Sequence, residues 1–391
     1  MDISKKFNQT VQNYKSADIA GFGQRLAKIK GLIPLTLGEP DFNVPDHVKL
    51  AAIKAIINND SHYTSPKGIR PLRVAISDFM KQKYGISYDP DTEITVTTGV
   101  TEGINATLRA ILEPGDRVIL PTPDFGDYMA EITLAGGKPT CLDVTDNDFI
   151  LTPERLETAF TKYGDSIKAV ILNSPNNPTG VVYNKEQLEG LAKVIKKHHV
   201  ICVSDEIYSE INYDKPYVSM GQILPDQTIV FNGASKTFAM TGWRLGIACA
   251  PEKALNLINK VHRFTVVNPP EIAQYAALEA FKNGEDDGER MTAAYHQRRD
   301  LAWSGFDQYG FKCPKPKGAF YLFPKIPEQF TQNSFDFALQ LAKEAKVGVI
   351  PGSIFGPGGE GHIRISYASS VSDIKEAIQR LGKFVKKHES K

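Results

Sequence analysis

The chain has 391 residues, 41% of them apolar and 23% charged, with a formal net charge of +1. That balance is ordinary for a globular protein and gives no electrostatic reason to expect nucleic acid or an anionic membrane as a partner. No apolar run approaches the roughly 20 residues that span a bilayer. Cys141, Cys202, Cys249 and Cys313 are scattered and have no His cluster nearby, which argues against a disulfide framework or a zinc site and for a reducing cytoplasm.

In chain order, the opening residues carry no apolar core of the kind a secretory leader needs. Residues 22–29 have amphipathic spacing. The run Ile33-Pro34-Leu35-Thr36-Leu37-Gly38-Glu39-Pro40-Asp41-Phe42 then places Gly38 in a turn where backbone can approach a neighbour closely. Residues 45–58 read as a helix with Val48, Ala52, Ala55 and Ile56 on one face. Next comes a polar loop, His62-Tyr63-Thr64-Ser65-Pro66-Lys67-Gly68, whose one aromatic is Tyr63, followed by a helix over 72–83.

A strand over 94–98 breaks at Gly99 and gives way to helical spacing at Ile104, Leu108, Ile111 and Leu112. Strand, glycine, helix N-terminus is a phosphate-binding shape that any such unit shares, since unpaired N–H groups and the helix dipole point the same way. A strand over 117–121 runs into Thr122-Pro123-Asp124-Phe125, and Thr152-Pro153 opens a helix as N-cap and first turn. The strand 169–172 enters Asn173-Ser174-Pro175-Asn176-Asn177-Pro178-Thr179-Gly180, a loop stiffened by two prolines, with a cis bond expected. Asn184 to Gln187 reads as a capping box. The strand 200–204 ends at Asp205, followed by Glu206, Ile207 and Tyr208.

Next lies Thr228-Ile229-Val230-Phe231-Asn232-Gly233-Ala234-Ser235-Lys236-Thr237-Phe238-Ala239-Met240-Thr241-Gly242-Trp243-Arg244-Leu245-Gly246. A buried strand ends at Asn232-Gly233, and just beyond it Lys236 is either a solvated turn lysine or one whose pKa crowded apolar neighbours pull down. A strand over 245–250 and a helix over 253–264 follow. Near 283–288 the composition turns polar. After that the rhythm changes: a strand over 318–323, a helix over 335–346, a strand over 347–350, a Gly- and Pro-rich loop, then Ile363-Arg364-Ile365-Ser366 and a final helix capped by Ser372. Arg364 inside an apolar strand must meet a carboxylate, and the residues alone favour one from the protein. His62, His198, His199 and His362 show no metal-ligand spacing, so no metal is expected.

The segment S-K-T-F-A-M-T-G-W-R-L-G closely resembles the cofactor-lysine segment of class I aminotransferases, pyridoxal-phosphate enzymes of fold type I. G-E-P-D-F, N-P-T-G, D-E-x-Y and R-x-S match in order from Gly38 to Arg364. The resemblance implies an α/β fold: a large domain (48–283) with a mostly parallel seven-stranded sheet, and a smaller α+β domain made with 1–47 and 284–391. It implies that Lys236 holds pyridoxal 5'-phosphate as a Schiff base. Gly99, Val100, Thr101, Ser235 and Arg244 would hold the phosphate, together with Tyr63 reaching across from the neighbour in a homodimer with shared active sites. Phe125 would stack on the ring, Asp205 would pair with its nitrogen, and Asn177 and Tyr208 would share its phenolic oxygen. Gly38 and Arg364 would bind the substrate carboxylate.

Two departures stand out. Gly233 replaces a serine that some relatives use on the phosphate, leaving Ser235 or backbone to compensate. No second arginine for a side-chain carboxylate is identifiable, which argues against strict aspartate specificity. The expected activity is transfer of the α-amino group of an aromatic or broad range of L-amino acids to a 2-oxo acid, 2-oxoglutarate. Aspartate and N-acetyl-diaminopimelate are the alternative donors. A carbon–sulfur β-lyase would use the same cofactor residues. A cofactor-sensing regulator would need a basic DNA-binding domain, for which too few residues precede Gly38.

Overall fold

A computed structural model describes residues 2–14, 19–214 and 216–389. A two-residue strand β1 (Ile33–Pro34) precedes the main sheet, which takes in β2 (Ile94–Thr97), β3 (Arg117–Thr122), β4 (Lys138–Asp143), β5 (Ile167–Asn173), β6 (Ile201–Asp205), β7 (Thr228–Gly233) and β8 (Gly246–Cys249). Their order is β2-β8-β7-β6-β5-β3-β4. Every pair is parallel except the two that β8 makes, so β2 runs with the others and β8 alone is reversed. This is the mostly parallel seven-stranded sheet that was expected. Parallel strands buried on both faces read as continuous apolar runs, as in Ala169-Val170-Ile171-Leu172.

Register fixes what meets at the carboxyl edge. Asn173 pairs with Asp205 and Asp205 with Phe231, so the exits of β5, β6 and β7 lie side by side. Gly233 and Thr97 both pair with Gly246, which brings the exit of β2 to the same edge. A Cβ at 246 would fall 2.5 Å from the backbone of Gly99 and Val100, so only glycine lets β8 come this close to the helix that follows β2.

The C-terminal part holds β9 (Tyr321–Leu322), β10 (Val347–Gly348), β11 (Ile350–Pro351) and β12 (Ile363–Ser366). A three-stranded antiparallel sheet runs β11-β12-β9, and β10 pairs instead with β1, tying the N-terminal segment to this part of the chain. A 23-residue helix, Glu285–Asp307, starts after Gly284. Among the described residues no helix is long and apolar enough to cross a membrane.

Local expectations hold where side chains close the backbone. Thr152 accepts from the N–H of Arg155, and Asn184 with Gln187 forms the full capping box. The loop after β5 has two cis bonds, Ser174-Pro175 and Asn177-Pro178. Three expectations need correction. The strand over 318–323 shrinks to β9, because Ala319 sits at φ +54° and breaks the extended run. The strand over 347–350 is two short strands with different partners. The last helix, Val371–Glu389, is capped by Ser370, whose hydroxyl accepts from the N–H of Asp373; Ser372 lies inside it.

Candidate active site

A cavity of about 210 Å³ opens at the carboxyl edge of the sheet. Its wall contains Gly38, Val100, Thr101, Phe125, Asn177, Asp205, Tyr208, Ser235, Lys236, Arg244 and Arg364. Gly99 sits directly behind, at φ +80°, where a Cβ would collide with the Arg244 guanidinium. Of the residues singled out from sequence, only Tyr63 lies apart. Its ring is 87% exposed. The loop around it is nonetheless braced, by Gln274 Nε2 to Thr64 Oγ1 (3.1 Å), Gln274 Oε1 to the N–H of Ile69 (2.7 Å) and His262 to the Pro66 carbonyl (2.8 Å).

Lys236 lies in the short helix Ala234–Thr237 right after β7. Its Nζ donates to the Gly38 carbonyl at 2.6 Å and stands 5.6 Å from the Tyr208 ring centre. Burial is the main reason its pKa falls to about 8; Arg364 and Arg244 push the same way, and Glu39 and Asp205 oppose them. A neutral amine is therefore within easy reach near pH 8, as an acid–base group or nucleophile needs.

Asp205 is buried at the end of β6. Its Oδ2 accepts from the Tyr128 hydroxyl (2.7 Å) and its Oδ1 from the N–H of Ile207 (3.1 Å). Burial raises its pKa to about 6, and those two donors limit the rise, so it is largely ionised at neutral pH. Asn173 donates to the Asp205 carbonyl and accepts from the N–H of Asn177, locking the exits of β5 and β6 together.

Arg364 is 1% exposed on β12. Its Nη1 donates to Asn177 Oδ1 (2.9 Å) and its Nη2 to the Thr36 carbonyl (2.8 Å), while Nε has no partner. Among the described residues no carboxylate pairs with it; its neighbours are the rings of Tyr321 (4.6 Å) and Phe355 (5.1 Å). The protein carboxylate that the residues alone favoured is not there. A buried guanidinium with neutral acceptors and an open donor is a seat for an anion.

The anion-binding features continue around the cavity. Thr98 makes no side-chain cap on the helix Gly99–Ile111, so the first-turn N–H groups beside Val100 and Thr101 remain for an acceptor. Arg244 donates to the Thr241 carbonyl (2.9 Å) next to that helix end. Phe125 meets Tyr128 edge to face, 5.6 Å between ring centres.

Sequence reasoning missed Tyr128, Tyr321 and the Asp124–Asn176–Thr179 chain that ties the exit of β3 to the Asn-Pro-Thr-Gly loop. A buried tyrosine must place its hydroxyl somewhere, which was the one available signal. Glu206 is also more than a neighbour of Asp205. It is fully buried, and its Oε1 accepts from Ser204 (2.8 Å), Ser219 (2.9 Å) and the N–H of Met220 (3.1 Å). Burial lifts its pKa to about 7. Such an acid holds its proton in the folded chain between about pH 4.5 and 7 while the unfolded chain releases it. Its contribution is therefore full at low pH and is lost as pH rises through 7. Urea unfolding of the cofactor-free protein from pH 5 to 8 should show Glu206→Gln with a pH slope flatter by up to ~1.4 kcal/mol per unit. Equal slopes would mean that Glu206 does not titrate there.

Residues 30–381 match the family model for aminotransferase class I and II. The chain is 42% identical to a probable N-acetyl-LL-diaminopimelate aminotransferase of Bacillus subtilis, over 97% of this chain and 96% of that protein. It is 39% identical to an aromatic-amino-acid aminotransferase of Thermococcus litoralis, over 92% of each. Among solved structures, the aspartate aminotransferase of Thermus thermophilus with maleate superimposes with a TM-score of 0.91 at 36% identity, covering 96% of this chain and 99% of that one.

Proposed function

The chain belongs to the class I and II aminotransferase family, and from that premise we propose that it binds pyridoxal 5'-phosphate at Lys236 and moves the α-amino group of an L-amino acid to a 2-oxo acid. The observation that carries this reading is one cavity holding both an amine of lowered pKa and a buried guanidinium with no carboxylate partner among the described residues. The residues fit the group. The open helix end by Val100 and Thr101, with Ser235 and Arg244, suits a phosphate, and Ser235 stands in for the serine absent at Gly233. Asp205 suits a cationic ring nitrogen, and Phe125 a ring face.

When bound, the cofactor supplies an electrophilic carbon and a ring that accepts electrons. The chain's own groups do the rest. Arg364 grips the substrate carboxylate with donors that no protein acid occupies, beside the Gly38 backbone. Because Asn177 Oδ1 is taken by Arg364, its Nδ2 is left to donate into the cavity. Tyr208 offers a second donor there. Lys236, with a pKa of about 8, would take the proton from the substrate's Cα as the base and, as the acid, deliver it to a different carbon, on the cofactor side of the transferred nitrogen. Holding Cα near that amine replaces a collision with a fixed approach.

Lys236, Arg244 and Arg364 are the cations in the cavity wall, and each has a task in this reading. Among the described residues the cavity wall offers no further cation to an acidic side chain, which favours aromatic or broad specificity over aspartate; N-acetyl-diaminopimelate is the second donor to test. A panel of L-amino acids with 2-oxoglutarate tests both. Glutamate should appear in step with the new 2-oxo acid, fastest for aromatic donors. Pyruvate and a thiol from cystathionine, without glutamate, would point to the β-lyase instead.

A homodimer completes the site in this reading. Leu50, Ile57, Tyr63 and Phe264 are 62%, 78%, 87% and 86% exposed, more large apolar surface than an isolated chain keeps. The large unit is taken as 48–283 and the small one as 1–47 with 284–391. The four unpaired cysteines suit the cytoplasm. Removing the Tyr63 hydroxyl (Tyr63→Phe) should weaken cofactor binding roughly tenfold, one hydrogen bond to a charged group. Unchanged affinity, or a fully active monomer in sedimentation, would refute the shared site.

A further inference from the structure

The Tyr208 hydroxyl lies 2.8 Å from the Tyr321 hydroxyl, with the rings edge to face at 5.8 Å. Both rings are buried, at 4% and 0% exposure, and among the described residues neither hydroxyl has another hydrogen-bond partner. Register explains the placement. Ser366 on β12 pairs with Tyr321 on β9, so Arg364, two residues back, lies on the same face and diagonal to it. The Arg364 guanidinium accordingly sits 4.6 Å over the Tyr321 ring. A Cβ at position 38 would stand 3.1 Å from the Tyr321 hydroxyl, so Gly38 leaves that oxygen its room.

A phenol has one proton and cannot give it in two directions. If Tyr208 donates into the cavity, the 2.8 Å contact can be made only with Tyr321 as donor. A cation on its ring face strengthens Tyr321 in that role, and accepting one hydrogen bond strengthens the next in the chain. We propose that Tyr321 is a positioning residue for amino transfer. It donates to Tyr208, turns the single Tyr208 proton into the cavity, and sharpens its donation to the cofactor's phenolic oxygen. It also links the Arg364 seat to that oxygen through one ring. This rests on the cofactor reading above.

The test uses the full-length enzyme loaded with pyridoxal phosphate and follows its visible absorbance against pH. Weaker donation leaves the phenolic oxygen more basic, so Tyr321→Phe should raise the pH midpoint by roughly half a unit. In a Tyr208→Phe background the same change should shift nothing, because the bond it breaks is already gone. The KM for the amino donor should stay within about twofold, since the ring beneath Arg364 is kept. Tyr321→Phe takes away the protein partner of the buried Tyr208 hydroxyl, but in the loaded enzyme that hydroxyl still donates to the cofactor, so the loaded variant should melt with loaded wild type. An unchanged midpoint, or an equal shift in both backgrounds, overturns the proposal. A wild-type protein with no band that titrates would instead overturn the cofactor reading beneath it.

Discussion

Lys236→Ala is expected to lower the rate of amino transfer at least about 10⁴-fold, the upper range for a single acid–base group, because a covalent role is lost with it. The reasoning starts from position. The amine lies directly past the exit of β7, bonded to the Gly38 carbonyl and facing Asp205 and Arg364 across the cavity. Among the cavity's cations it is the one pulled down to about 8, so it can shed and regain a proton under mild conditions. Lys236→Arg keeps the charge but cannot deprotonate at usable pH, so it should be as inactive as the alanine variant. An arginine variant with near-normal turnover would show that the residue acts only as a fixed charge. Melting curves distinguish this from collapse: burying a charge is costly, so the fold should not depend on the lysine.

The second large effect concerns Arg364. Removing a buried, hydrogen-bonded charge from its ionic partner costs about 2–5 kcal/mol. Arg364→Leu should therefore lose roughly 10²–10³-fold in kcat/KM, most of it in KM, for every carboxylate-bearing donor. Stability should move the other way or not at all. The guanidinium is held by a side-chain amide, a backbone carbonyl and two rings, with Nε unpaired and no carboxylate beside it among the described residues. Those neutral partners offset only part of its desolvation, so an apolar residue in its place removes a cost. A variant that unfolds more easily while binding substrate normally would make Arg364 a structural residue.

Much of this was readable in the chain because the chemistry is local in sequence. The strand-glycine-helix unit at 94–101, the acid closing β6 and the lysine past β7 each combine an apolar run with its breaker and the functional side chain. What could not be read depends on distance or on mixed burial. Tyr128 meets Asp205 from 77 positions away, and Tyr208 meets Tyr321 from 113, and no pattern in either segment announces its partner. The edge strand Lys138–Asp143 escaped because it is half-exposed and contains a proline, so neither alternation nor an apolar run marks it. Ser372 was the expected cap of the last helix. Ser370 won because its hydroxyl reaches the N–H three residues on and its own proton goes to the Asp373 carboxylate. Arg364 shows the limit most plainly. Sequence said that it needs an acid, and only the surrounding side chains show that none of the described residues supplies one.

The claim beneath all of this is a covalent link between pyridoxal phosphate and the amine of Lys236. The measurement is to saturate the purified protein with the cofactor, reduce it with borohydride, digest it and locate the modified peptide by mass. The expected result is a yellow protein, bleached on reduction, with one equivalent of the pyridoxyl group on the peptide containing Ser235-Lys236-Thr237. A colourless protein, or the label on any other lysine, would contradict it.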